Sequence, residues 1–234
     1  MINFLRLLLV LLLLNSCNDE KKVKVISKLK KEKSTNLKVK KKPYKKQNIT
    51  VTDTLNHNNA NAFFRAYGKI NKETIVEFST RLGNFTFQLY KDTPIHRANF
   101  IFLAKKGYFD TTSFHRLVPN FVAQFGNSDR MTTINFRNKY KNYRLKPEFR
   151  KNHKHFRGAL AVARDWEYNP DKLSTPFEFY IVQSKKPQHH LNFEHTVIGK
   201  VIKGMHVIDK IILEKTDKDE WPFKDIDIKV VSIR

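Results

Sequence analysis

The stretch Ser113-Phe114-His115-Arg116-Leu117-Val118-Pro119-Asn120-Phe121-Val122-Ala123-Gln124-Phe125-Gly126 decides the fold. It holds two short strand-like runs, Ser113 to Leu117 and Phe121 to Phe125, and the sequence on either side continues in the same manner. Upstream, Thr74 to Ser79 and Asn84 to Tyr90 alternate apolar and polar residues. Phe85, Phe87 and Leu89 share one face, and Leu82-Gly83-Asn84 supplies a turn, so this is a hairpin. Thr93 then reads as an N-cap with Pro94 at the first helical position. Ile95, Ala98, Ile101 and Phe102 mark one helical face, and Gly107 closes the helix. Downstream, β-like runs recur at Ala159 to Ala163, Phe177 to Gln183 and Thr196 to Ile202. A second helix follows Gly204, near Met205 to Leu213, and a last strand occupies Ile226 to Ile233. Many short strands with two helices predict a mainly β chain, an antiparallel barrel capped by helices rather than a parallel βαβ sheet. The segment from Asn127 to Arg157 is long, polar and without clear periodicity, which predicts a functional or mobile loop.

The opening stretch closely resembles the cyclophilin signature, in which Phe-His-Arg is followed by a hydrophobic pair, Pro, Gly or Asn, Phe, a hydrophobic residue, and Gln with Gly. Gly158-Ala159-Leu160-Ala161-Val162-Ala163-Arg164 and Phe177-Glu178-Phe179-Tyr180-Ile181 follow in the family's order. Leu191-Asn192-Phe193-Glu194-His195-Thr196-Val197-Ile198-Gly199-Lys200-Val201 is similar to a further family segment. The resemblance runs from about Thr74 to the C-terminus. It implies a cyclophilin-like closed antiparallel eight-stranded β-barrel capped by two α-helices, with peptidyl-prolyl cis–trans isomerase activity on proline-containing unfolded or flexible polypeptides.

The chemistry can be argued from residue types. Resonance makes an amide C–N bond resist rotation by about 18–20 kcal/mol. Twisting that bond localises a lone pair on the prolyl nitrogen. A guanidinium that hydrogen-bonds the nitrogen favours the twisted state over both planar ones, which is the selective stabilisation catalysis requires. Arg116 is the candidate, and Gln124 is expected to orient the substrate carbonyl or Arg116. By resemblance, Phe121, Val122, Tyr180 and Leu191 form the proline pocket, Ala163 meets the peptide backbone, and His195 stands beside the pocket.

Several positions depart from the family pattern. Glu178 stands for a usual Gln, His190 for Trp, Val122 for Met, Tyr180 for Phe and Phe125 for Gly, and Asp165 to Pro176 replace a Gly/Asn-rich loop. Glu178 and His190 are counted with the substrate-binding set, and Glu178 is expected to pair with Arg116. The lost Trp implies weakened binding of cyclosporin-type ligands. A non-catalytic proline-peptide-binding module of the same fold is the alternative function.

No cofactor is required by this chemistry. His153-Lys154-His155 and His189-His190 are close pairs, but without carboxylate or cysteine partners at ligand spacing they do not define a metal site.

The N-terminus sets the expected location. Arg6, the apolar run Leu7 to Leu14 and the small residue before Cys17 read as a signal peptide, with too few apolar residues to span a bilayer. Leu14-Asn15-Ser16-Cys17 resembles a bacterial lipobox, which implies acylation of Cys17, the only cysteine. Residues 18–46 hold thirteen lysines against Asp19, Glu20 and Glu32, a composition that cannot bury enough apolar surface to fold. The expected layout is a signal peptide over 1–16, a lysine-rich disordered tether over 17–68 and the barrel domain over 69–234. The net charge of +23 is the footprint of a phosphate binder. An exported lipoprotein rarely meets nucleic acid, so no nucleic-acid partner is expected, and a lipid membrane contacted through Cys17 and the basic tether is. The expected place is the periplasmic or cell-surface side of a bacterial envelope.

Overall fold

The computed structural model describes residues 55–140 and 143–234. The expected signal peptide, Cys17 and the lysine-rich run therefore lie outside the described residues. Eight strands follow one another: β1 (Ile75–Thr80), β2 (Gly83–Leu89), β3 (Ser113–Leu117), β4 (Val122–Asn127), β5 (Ala159–Val162), β6 (Phe179–Val182), β7 (Val197–Lys203) and β8 (Lys229–Ile233). They form one sheet in the order β3-β4-β6-β5-β7-β2-β1-β8, with antiparallel neighbours throughout. The two ends of that order meet. Phe114 N–H donates to Ile226 O and Ile228 N–H to Thr112 O, each at 3.1 Å, just ahead of β8. The curled sheet thereby leaves little unpaired edge, which is what closure achieves in small β folds.

Period-two burial explains the strands. Val76 and Phe78 of β1, Phe85, Phe87 and Leu89 of β2, Phe125 of β4 and Phe179 of β6 are all buried in one core. Phe87 stacks on Phe125 at 6.0 Å, and Phe100 meets Phe179 edge-on at 4.9 Å. Each such ring contributes about 1.5–3 kcal/mol by leaving water.

Helix α2 (Pro94–Lys106) runs as expected to Gly107, whose φ of 71° is the left-handed end that glycine adopts freely. Its N-terminus differs from expectation. The Thr93 side chain makes no capping hydrogen bond. The carboxylate of Glu148 instead accepts from Ile95 N–H at 3.2 Å and His96 N–H at 2.9 Å. Burial pushes Glu148 up, but these bonds and His96 outweigh it and hold the carboxyl below its ordinary range. Nor does α2 bury only one face: Arg97, Asn99 and Lys105 are buried as well.

The cover on its outer side corrects the predicted domain boundary. Helix α1 (Ala60–Ile70) lies in the segment assigned to the tether, yet Leu55, Ala60, Phe64 and Tyr67 belong to the core. Phe63, Phe64 and Tyr67 surround Phe102 of α2 at ring distances of 5.6–6.0 Å. Arg97 ties the end of α1 down by donating to Gly68 O and Asn71 O, each at 2.8 Å. The folded body thus includes residues 55–70. The predicted loop from Asn127 to Arg157 also contains helix α3 (Met131–Tyr140). With α4 (Met205–Ile212), four helices rather than two stand around the sheet among the described residues. No described helix is long and apolar enough to cross a membrane.

Candidate active site

The register of the sheet assembles the site. Across neighbouring strands Arg116 faces Gln124, Gln124 faces Tyr180, and Tyr180 faces Ala161. Residues directly opposite in a sheet share a face, so this row crosses β3, β4, β6 and β5 on one side. That side is the outer one. Phe125, Phe179, Ile181 and Val162 point into the main core, whereas Val122, Ala161, Tyr180, Val182, Leu191 and Val197 form a second, separate apolar cluster with Phe121 packed against it. A bulge at His115 lets Arg116 join the row while Phe114 stays inside.

A cleft of about 500 Å³ lies over this cluster. Nine of the ten groove residues expected from sequence line it: Arg116, Phe121, Val122, Gln124, Ala163, Tyr180, His190, Leu191 and His195. Phe121 stacks on His190 at 5.8 Å, so the histidine in the family's Trp position still offers a flat ring.

Glu178 is the exception, and its expected pairing with Arg116 is not made. Its Oε1 meets Arg137 of α3 at 2.9 Å, and its Oε2 lies 3.7 Å from His115 Nε2. Gln124 Nε2 donates to the same Oε2 at 3.1 Å. A carboxylate only accepts, so the nitrogen side of the Gln124 amide is fixed on Glu178. Burial pushes the Glu178 carboxyl up, but His115 and Arg137 outweigh it and hold it at about 2. Glu178 lines a second, neighbouring cavity of about 270 Å³, which shares Gln124, Ala163 and Arg164 with the cleft. The partner of Arg116 is Glu220, whose Oε2 meets Nε at 2.6 Å.

The floor of the cleft is polar beneath its rings, yet uncharged. The Oδ1 of Asn192 faces both the His155 backbone N–H at 3.1 Å and His155 Nδ1 at 3.0 Å. An amide oxygen only accepts, so Nδ1 carries the proton and Nε2 accepts from Tyr180 O–H at 3.0 Å. The Tyr180 hydroxyl, absent where the family has Phe, therefore has a built partner. Burial lowers His155 to about 4, and burial likewise lowers His195 to about 4, so both rings are neutral at neutral pH.

Two cleft residues escaped the sequence reading. Trp166 stands 62% exposed at the rim, 5.3 Å from the His195 ring, with the Arg164 guanidinium 4.1 Å over its face. Arg164 is itself held by the Glu194 carboxylate at 2.6 Å and the Glu194 carbonyl at 2.8 Å. Both lie in or beside the Asp165–Pro176 replacement, where an exposed Trp among charged residues was the available signal. Gly126, which ends the opening stretch, has φ 96°, and a Cβ there would lie 2.2 Å from the Phe177 carbonyl oxygen. The close passage of β4 past the residues leading into β6 thus admits only glycine.

A guanidinium stands at the edge of an apolar, aromatic-lined groove on the curled antiparallel sheet, an arrangement suited to a peptide that carries an apolar ring beside a backbone acceptor. The family model for cyclophilin-type peptidyl-prolyl cis-trans isomerases matches residues 75–233. A peptidyl-prolyl cis-trans isomerase of Acinetobacter baylyi is 34% identical over 173 residues, covering 68% of this chain and 87% of the relative. The peptidyl-prolyl cis-trans isomerase-like 1 protein of Emericella nidulans is 32% identical over 157 residues, covering 66% and 91%. A Cryptosporidium parvum cyclophilin-type isomerase, solved in the presence of the dipeptide Ala-Pro, is similar with a TM-score of 0.54 and 25% identity, covering 68% of this chain and 99% of that one. The chain belongs to the cyclophilin-type peptidyl-prolyl cis-trans isomerases.

Proposed function

We propose that this chain isomerises Xaa-Pro bonds in exported polypeptides, with Arg116 as the electrostatic catalyst, from a position anchored to a bacterial envelope membrane through acylated Cys17. The proline ring sits on Val122, Leu191 and Phe121 while its acyl partner turns. Arg116 donates to the prolyl nitrogen as conjugation is lost, and Gln124, braced by Glu178, contacts the peptide backbone. The neutral His155 and His195 keep the floor free of positive charges that would compete with the guanidinium for the peptide's acceptor atoms. The observation that carries this reading is the row Arg116, Gln124 and Tyr180 across three paired strands beneath one cleft. The lipobox-like Leu14-Asn15-Ser16-Cys17 and the lysine-rich run after it support the anchored location, since stable anchoring takes more than one acyl chain or a chain plus basic residues.

The test is a prolyl-isomerisation assay on a panel of Xaa-Pro peptides with the wild type and Arg116→Ala. Acceleration by the wild type that Arg116→Ala largely loses is the expected result. A wild type that binds the peptides without accelerating them would make this a binding module instead. Metabolic labelling with a fatty acid, lost in Cys17→Ala, tests the anchor.

A further inference from the structure

We propose that Glu220 is a positioning residue for Arg116, a role that rests on the isomerase reading above. Two independent features carry it. The first is contact. Glu220 lies between α4 and β8, remote in sequence from the groove, yet its Oε2 meets Arg116 Nε at 2.6 Å. Its backbone is tied to the same strand, because Leu117 N–H donates to Glu220 O at 2.9 Å. Glu220 is thus held at two adjoining residues of β3, its carboxylate at Arg116 and its carbonyl at Leu117.

The second feature is strain. Glu220 has φ 65°, the left-handed region that glycine enters freely and a residue with a Cβ does not. The surrounding turn is built to keep it there. Asp217 Oδ1 accepts from the N–H groups of Asp219 and Trp221 at 2.9 Å each, Glu220 N–H donates to Asp217 O at 3.2 Å, and Thr216 pairs with Pro222. The Trp221 ring rests 5.7 Å from His115, the neighbour of Arg116 on β3. Glycine would fit this position better if only the turn mattered. Nor is the ion pair there for stability, since both partners are about 40% exposed and such pairs contribute little. Strain kept at one residue whose side chain reaches the catalytic candidate is the pattern of a functional constraint. Pinning Nε removes guanidinium rotations that would otherwise be lost only when Arg116 engages the prolyl nitrogen of the twisted bond.

The test uses the full chain carrying Glu220→Gly, Glu220→Ala or Glu220→Gln, each with Arg116 intact and with Arg116→Ala. Glu220→Gly relieves the backbone, so its thermal midpoint is kept or raised while kcat falls roughly tenfold with KM nearly unchanged. Glu220→Gln still offers Nε an oxygen and retains most of the rate. In the Arg116→Ala background the glycine change has no further effect. Independently of activity, the Arg116 Nε–H resonance, assigned by its loss in Arg116→Ala, exchanges slowly with water in the wild type and Glu220→Gln and quickly in Glu220→Gly and Glu220→Ala. A glycine variant with unchanged kcat and unchanged exchange overturns the proposal. So does an equal loss with and without Arg116, or a parallel loss of midpoint and rate. Should the wild type prove inactive, the isomerase reading falls, and the resonance alone decides whether Glu220 holds Arg116.

Discussion

Replacing Glu178 by Gln should remove a definite portion of the pH dependence of stability. In the folded protein the Glu178 carboxyl sits at about 2 against an ordinary 4.5, because the stabilising partners His115 and Arg137 outweigh burial. The gap corresponds to about 3 kcal/mol of stability at neutral pH. The folded state binds this proton less readily than the unfolded chain. The contribution is therefore complete above about pH 4.5 and is lost as the pH falls toward 2. Urea unfolding of the wild type and Glu178→Gln, measured from pH 7 down to 2.5, should show the variant less stable at pH 7. The difference between them should close by most of that 3 kcal/mol below pH 4.5. A difference that stays constant over the whole range would refute the reasoning, since it would mean that the carboxylate charge does not hold Gln124 and α3 together.

Three further outcomes follow from the packing. Phe64→Ala in α1 should cost about 3–5 kcal/mol in a urea titration, as for any fully buried ring; a loss under about 1 kcal/mol, the range of surface changes, would return residues 55–70 to the tether. Tyr180→Phe removes the hydrogen bond to His155 and should cost about 1 kcal/mol of stability with peptide affinity nearly unchanged, so a large affinity loss by calorimetry would instead put the hydroxyl in contact with substrate. Trp166→Ala should weaken binding of proline peptides about three- to tenfold. Binding to the wild type should shift the intrinsic fluorescence, and Trp166→Phe, which leaves Trp221 as the sole tryptophan, should abolish that shift.

The parts legible in the sequence were those whose signal is local. Phe85, Phe87 and Leu89 alternate within one strand, and Arg116, Phe121, Val122 and Gln124 lie in one stretch of fourteen residues, so the hairpin and most of the cleft could be read directly. What escaped depends on contacts made across the chain. Helix α1 reads as tether in the sequence because its reason for folding is Phe102, a residue of another helix. Sequence points Glu178 to Arg116 because α3, which supplies Arg137, lies in a stretch without periodicity. Glu220 carries no motif at all; only the return of the chain past β3 brings it to Arg116. The absent Thr93 cap has the same origin, since the stronger cap, Glu148, arrives from a distant segment.

Helix α1 also bears on where such a protein can be cut. The family model matches from residue 75, so the helix lies outside the matched residues. Once Phe102 and Tyr143 pack on Phe64 of that helix, the barrel is no longer indifferent to it. Deleting the helix would bare aromatic surface that a barrel without the extension has no need to cover. Helix and barrel surface are therefore coupled: a chain cut before residue 75 would stay soluble only if Phe102 and its neighbours were also made polar.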